Sequence, residues 1–332
     1  MKKHTNERRP KIVVIGGGTG TYTVLSGLKD LNVDITAVVT MADSGGVAKV
    51  ERDEFGILPN SDIRKAILAL TSKDSPDTLN KLFSYRFYQG VGISGYTFGN
   101  FFLAALTDIL DSQIKAIEYA SKILECKGKV LPVSIDKTNL VATLEDESQI
   151  LGETNIDNPN HDGQKRIKNL TLIPKAEIYP ETKKAISQAD IIVIGPGDLF
   201  TSIIANLIVG GVKKSIAQSK AKKVYIVNLI AKYGETYRYS ALDHVKEVEK
   251  YLGKNVLNYV LINKNGLPKR VINNYRKERG YPVIDDLKNG CYKIIRKDLL
   301  AKGVVKGNKD KLKRSLVRHD SKKLAKTLIK LI

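Results

Sequence analysis

The stretch KIVVIGGGTGTYTVLSGL (Lys11–Leu28) decides how the rest of the chain is read. Four apolar residues, Ile12 to Ile15, run without a polar interruption, as in a strand covered on both faces of a parallel sheet. Four glycines follow in five positions, and then apolar residues at helical spacing. Strand, glycine turn and helix together let backbone amides and the positive end of a helix meet a phosphate group. A tight strand-to-helix turn alone needs fewer glycines. The hydroxyls of Thr19 and Thr21 add donors at the same place.

Two common phosphate motifs fail on this stretch. A Walker loop needs a lysine followed by Ser or Thr after its second glycine, but positions 21 and 22 are Thr and Tyr. A dinucleotide fingerprint needs G-x-G-x-x-G. Counting from Gly16 or Gly18, the third glycine is replaced by Thr21 or Thr23, and the second strand ends AVVT without the acid that holds a ribose hydroxyl. What survives is a general anion cradle over Gly16, Gly17, Gly18, Thr19, Gly20 and Thr21.

Further turns of the same kind lie downstream. Asp43, Ser44, Gly45 and Gly46 follow the second strand, and adjacent parallel strands gather ligands at their carboxyl ends. Asn60 or Ser61 is placed to cap the helix DIRKAILAL, with Asp62 in its first turn and Arg64 behind it. An acid there stabilises a helix dipole by about 0.3–1 kcal/mol without any other role. Asp43 also suits a turn as such. Two carboxylates beside a phosphate cradle nevertheless suit a divalent ion, so Asp43 and Asp62 are the candidate metal ligands and catalytic residues, with Mg²⁺ the candidate cofactor. The stretch ADIIVIGPGDLFTSIIANLIV repeats the first motif: a strand ends in Gly195-Pro196-Gly197, Asp198 is placed to cap the next helix, and Thr201 and Ser202 lie on its first turns. Two more polar segments complete the set, Gly99 and Asn100, the latter as a helix cap, and Asn228, Glu235 and Thr236.

The remaining strand-like runs, DITAVVT, KKVYIVNL and LNYVLIN, are also β-branched, and helical patterns alternate with them. That order predicts an α/β fold: a Rossmann-like doubly wound, mostly parallel sheet in one domain over residues 11–332. Shorter alternating runs at about 130–175 predict a small β-rich insertion, and residues 1–10 a flexible N-terminus. Of 332 residues 42% are hydrophobic and 27% charged, as in folded globular proteins. Two distant cysteines, Cys126 and Cys291, argue against a disulfide framework or zinc site and for a reducing, cytoplasmic setting. No apolar run approaches the length of a membrane span. The formal charge of +20 is densest from Ala301 to Ile332, with 11 Lys and Arg against two Asp. There, Leu324, Leu328, Ile329 and Leu331 recur near helical spacing, so the lysines read as the solvated face of a terminal helix. Nucleic acid is disfavoured as a partner, since no known module is recognisable and aromatics are 7% of residues.

IGGGTGTYTVLSGL, TMADSGG, SDIRKAILAL, GNFFLAAL, GETNI, ADIIVIGPGDLFTSIIANLIV and NLIAKYGET fall in the order seen in the bacterial gluconeogenesis factor proteins, and the chain resembles that family. The family shares a superfamily with the 2-phospho-L-lactate transferases. The resemblance implies a cytoplasmic protein that binds UDP-activated sugars and acts, through protein partners of cell-wall synthesis, on cell shape during gluconeogenic growth. The transferase branch implies the alternative: a metal-dependent enzyme that moves phospholactate from a nucleotide diphosphate donor. Few nucleophile–base arrangements are visible, as only four histidines occur, which favours the non-catalytic binder. Three segments depart from the family pattern. VAKVER replaces a Ser-Ser-Gly-Arg-Leu-Arg type run and leaves Lys49 and Arg52 as its basic residues, PNSDIRK replaces PPGDIRN, and Lys232-Tyr233 replaces Gln-Pro. A homo-oligomer is compatible with all of this.

Overall fold

The computed structural model describes residues 8–44, 51–52, 56–302 and 317–332. Gly45, Gly46 and Lys49 lie outside the described residues, as does part of the basic stretch before the terminal helix. Strand β1 (Lys11–Gly16) lies inside a seven-stranded sheet, away from its edges, because both its faces are apolar. Val13 and Ile15 enter one core, Ile12 and Val14 the other, and all four are no more than 2% exposed. Each such side chain stabilises the fold by about 1.5–3 kcal/mol, more than a typical helix cap.

On one side of β1 lie β2 (Asp34–Val39) and then β3 (Lys129–Pro132). The chain forms β4 (Asn139–Leu144), β5 (Gln149–Leu151) and β6 (Ile167–Ile173) as a separate antiparallel sheet, ordered β5-β4-β6. It then returns to the other side of β1 with β7 (Ile191–Ile194) and β8 (Lys222–Ile226). After β9 (Ile230–Ala231) come β10 (Tyr259–Asn263), β11 (Tyr281–Pro282) and β12 (Lys293–Lys297). The central order is β12-β10-β8-β7-β1-β2-β3, with every neighbouring pair parallel, and β9 pairs separately with β11. The direction of winding reverses between β1 and β7. Open α/β sheets bind ligands outside the carboxyl ends of the strands at that reversal.

The sequence places β-rich structure from about residue 130. Lys129–Pro132 opens that stretch but joins the central sheet, and the antiparallel strands begin at Asn139. Leu140, Ala142 and Leu144 bury one face of the small sheet in the core that also holds Val13 and Ile15. The opposite core receives α1 (Gly18–Leu28) and α2 (Ser61–Leu70). Next in the chain come α3 (Asp77–Ser84), α4 (Phe98–Leu110), α5 (Gln113–Ile123), α6 (Glu153–Asp157) and α7 (Pro180–Gln188). A π-helical turn, Leu199–Ile204, leads into α8 (Ala205–Leu207), where the sequence reads one ordinary helix. The last helices are α9 (Val212–Gln218), α10 (Ala241–Leu252), α11 (Lys269–Lys277) and α12 (Ser321–Ile329). No helix of the described residues is long and apolar enough to cross a membrane.

Helix α12 buries Leu324, Ala325 and Leu328 in the core shared with α1. It can approach only because residue 27 is glycine: a Cβ there would lie 2.1 Å from the Ser321 carbonyl oxygen. Gly27→Ala is therefore expected to lower stability by about 1–3 kcal/mol, the usual cost of overpacking. An unchanged urea midpoint would refute this docking.

Candidate functional site

The two glycine turns expected to bind phosphate meet at the winding reversal. After β1, Gly17 is extended and Gly18, with φ of 61°, enters α1 through the left-handed region that glycine tolerates. After β7, Gly195 has φ of 73° and precedes a cis Pro196. A Cβ on Gly20 would lie 2.0 Å from the Pro196 carbonyl oxygen, and one on Gly197 3.4 Å from that of Gly17. The backbones touch, so these glycines serve close packing between the turns.

Polar side chains brace the junction. Asn228, just beyond β8, accepts from the Gly197 amide at 3.2 Å and donates to its carbonyl at 2.7 Å. Asn206 donates to the carbonyls of Gly16 (3.2 Å) and Ser202 (2.6 Å). The Ser202 hydroxyl lies 3.2 Å from where Gly17 would carry a Cβ. Thr19 is exposed, whereas the Thr21 hydroxyl is buried against Gly16 and has no partner among the described residues.

Several side chains act otherwise than their sequence context suggests. Asp62 sits in the first turn of α2, yet its Oδ1 accepts from the Gly18 amide at 3.1 Å and from Lys65 Nζ at 2.9 Å. The positive end of α1 thus already faces a carboxylate. Asn60 precedes α2 and Asp198 precedes the π turn, but neither makes a side-chain cap. Thr97, not Asn100, occupies the N-terminal flanking position of α4 and makes no side-chain cap; Asn100 Oδ1 accepts from Arg64 Nε (2.8 Å) and Thr97 Oγ1 (2.9 Å). Gly99 makes room for that packing: a Cβ would lie 2.5 Å from the Phe83 carbonyl oxygen and 2.8 Å from Arg64 Cδ. Ser44 Oγ accepts from the Thr154 amide at 3.3 Å and steadies α6, and Thr236 Oγ1 accepts from the Lys232 amide at 2.9 Å.

Carboxyl groups crowd the winding reversal. Burial first, then Asp43, Asp157 and Asp62, push Glu153 up to about 9. Burial and Asp198 push Glu235 up to about 8, and its Oε1 accepts from the Thr201 amide at 3.0 Å. Asp198 is raised by burial, with Lys232 opposing. Burial pulls the Lys232 ammonium down, but Asp198, Asp157 and Glu235 outweigh it and raise its pKa. Lys65 is raised chiefly by Asp62. Two lysines therefore face Asp43, Asp62, Glu153, Asp157, Asp198 and Glu235. A further buried acid, Glu51, accepts from the Asn60 amide at 2.9 Å and is pushed up to about 7 by burial.

Sequence reasoning missed Lys65, Glu153, Asp157 and Glu51, and it met Lys232 only as a departure from a pattern. One available signal was GETNID, where two acids one helical turn apart share a face.

Sheet, reversal and paired glycine turns define a Rossmann-like α/β protein with charged side chains clustered at its winding reversal. The chain belongs to the family described as 2-phospho-L-lactate transferase CofD, which matches residues 12–300. A protein of Thermotoga maritima, described as a gluconeogenesis factor, is 43% identical over 95% of this chain and 97% of its own length. The gluconeogenesis factor of Bacillus subtilis is 38% identical over 98% of this chain and 99% of its own. The crystal structure of protein BH3568 from Bacillus halodurans superposes with a TM-score of 0.89 at 36% identity, covering 97% of this chain and all of that one.

Proposed function

We propose that this chain is a cytoplasmic regulatory protein that binds a nucleotide-activated sugar, UDP-linked, through its diphosphate, and that occupancy alters its contacts with proteins of cell-wall synthesis. The observation that carries the reading is the meeting of the Gly16–Gly20 and Gly195–Gly197 turns at the winding reversal, where amides from two strand ends converge. The family membership and the gluconeogenesis factor relatives support it.

We assign a divalent ion beside such a diphosphate to Asp43 and Asp62, because both act electrostatically on Glu153 and Asp62 lies against Gly17 and Gly18. Those two carboxylates would hold Mg²⁺, which would offset the charge of the diphosphate. Without it, Asp62 repels the ligand. Calorimetry with UDP-N-acetylglucosamine is expected to show binding that Mg²⁺ strengthens. In Asp62→Asn, metal-free affinity is expected to rise about tenfold, roughly 1.4 kcal/mol, and the Mg²⁺ effect to disappear. No heat at millimolar ligand, with or without Mg²⁺, would sink the reading.

One observation favours a second reading, a transferase of the 2-phospho-L-lactate type. Glu153 and Glu235 hold protons near neutral pH beside the cradle, as acid–base groups do. Phospholactate transfer that Glu153→Gln abolishes would establish it, and its absence with every donor tried would remove it.

A further inference from the structure

Asp157, Asp198 and Glu235 reach one place from three separate parts of the chain: the end of α6, the turn after β7 and the loop after β9. One carboxylate oxygen from each lies within 4.8 Å of the other two. The Lys232 ammonium hydrogen-bonds Asp157 and stands 3.9 Å from Asp198 Oδ2, one positive charge among three carboxyl groups. Glu235 is the unsatisfied member. It is 1% exposed, it turns Oε1 to the Thr201 amide, and its buried Oε2 has no partner among the described residues. A buried polar atom left open among the described residues is costly unless a further group completes it.

We propose that Asp157, Asp198 and Glu235 form a binding site for a hard divalent cation, separate from the Asp43–Asp62 pair, with Lys232 as its built-in competitor. The donors are all carboxylate oxygens, which suit Ca²⁺, Mn²⁺ or Mg²⁺ and not a thiophilic metal. The separations, all within 4.8 Å, do not discriminate among these ions. Water or a ligand oxygen supplies the remaining coordination. The inference stands whether or not a nucleotide sugar binds, since the probe is the cation alone.

The chain has 15 tyrosines and no tryptophan, so tyrosine-sensitised Tb³⁺ luminescence reports an ion of Ca²⁺ size, and Tyr233 is the immediate neighbour of Lys232. The intact chain is expected to take up one saturable Tb³⁺ that Ca²⁺ and Mn²⁺ displace. The signal is expected to persist in Asp43→Asn/Asp62→Asn, to weaken at least tenfold in Glu235→Gln, and to strengthen at least tenfold in Lys232→Gln. The last result is a gain, which misfolding does not produce. Loss of the signal in Asp43→Asn/Asp62→Asn, an unchanged signal in Glu235→Gln, or no saturable binding in either wild type or Lys232→Gln overturns the proposal. In that event a shared proton, not a metal, completes Glu235.

Discussion

Replacing Gly20 with alanine is expected to abolish the proposed nucleotide-sugar binding and to lower the unfolding free energy by about 1–3 kcal/mol. The expectation runs against helix propensity. Gly20 lies inside α1, where glycine to alanine normally stabilises by about 0.5–1 kcal/mol. The added Cβ would lie 2.0 Å from the Pro196 carbonyl oxygen, 2.5 Å from its carbon and 3.0 Å from the Gly197 nitrogen. All three are backbone atoms, so no side chain can swing aside. Relief requires the turn after β7 to withdraw from the turn after β1, which separates the two sets of amides. Asn228 opposes the withdrawal, because it holds Gly197 by both its amide and its carbonyl. Gly266→Ala is the control: nothing lies within 4 Å of its Cβ position, and stability should change by less than about 0.5 kcal/mol. Urea unfolding and calorimetry with UDP-N-acetylglucosamine check both variants. A Gly20→Ala protein that binds normally would show that the contact between the turns is not what forms the proposed site.

The parts of the molecule that local pattern determines were legible in the sequence. The Ile12–Ile15 and Ile191–Ile194 runs face apolar surroundings on both sides, and an uninterrupted β-branched run is what such a setting requires. The glycine turns announced themselves because backbone contact excludes every side chain. The contacts of residues whose partners lie far along the chain were not legible. Asp62 looks like an ordinary first-turn acid, but the Gly18 amide that it accepts from is 44 positions earlier. Asn100 looks like a cap until Arg64, 36 positions earlier, arrives at its carbonyl. Lys232 and Asp157 are 75 positions apart, and only the return of the chain from the small sheet to β7 brings their elements together. Spacing shows which residues share a face. It does not show which face another element will cover.

The crowded carboxyl groups make stability depend on pH in the opposite sense to a protein held by ion-paired acids. Glu153 and Glu235 have folded values of about 9 and about 8, against an ordinary value of 4.5. Between those limits the folded chain keeps protons that the unfolded chain releases, so stability falls as pH rises, by up to about 1.4 kcal/mol per unit for each proton. The buried histidines work elsewhere: burial lowers His244 and His319 to about 4 from 6.5, so their penalty appears as pH falls below 6.5. The interval from pH 6.5 to 9 therefore isolates the acids. Glu153 and Glu235 share neighbours and cannot both shift in full, so the expected loss over that interval is on the order of 2–4 kcal/mol. Urea unfolding in metal-free buffer should show it. Glu153→Gln keeps the shape and cannot ionise, and should remove about half of the slope while leaving stability near pH 6.5 within about 1 kcal/mol of wild type. A divalent cation should flatten the wild-type profile by stabilising the ionised groups in the folded chain. Stability that holds constant or rises from pH 6.5 to 9 would mean that these carboxyls are already ionised and solvated at neutral pH. The winding reversal would then carry full negative charge, and a diphosphate could enter only together with its metal.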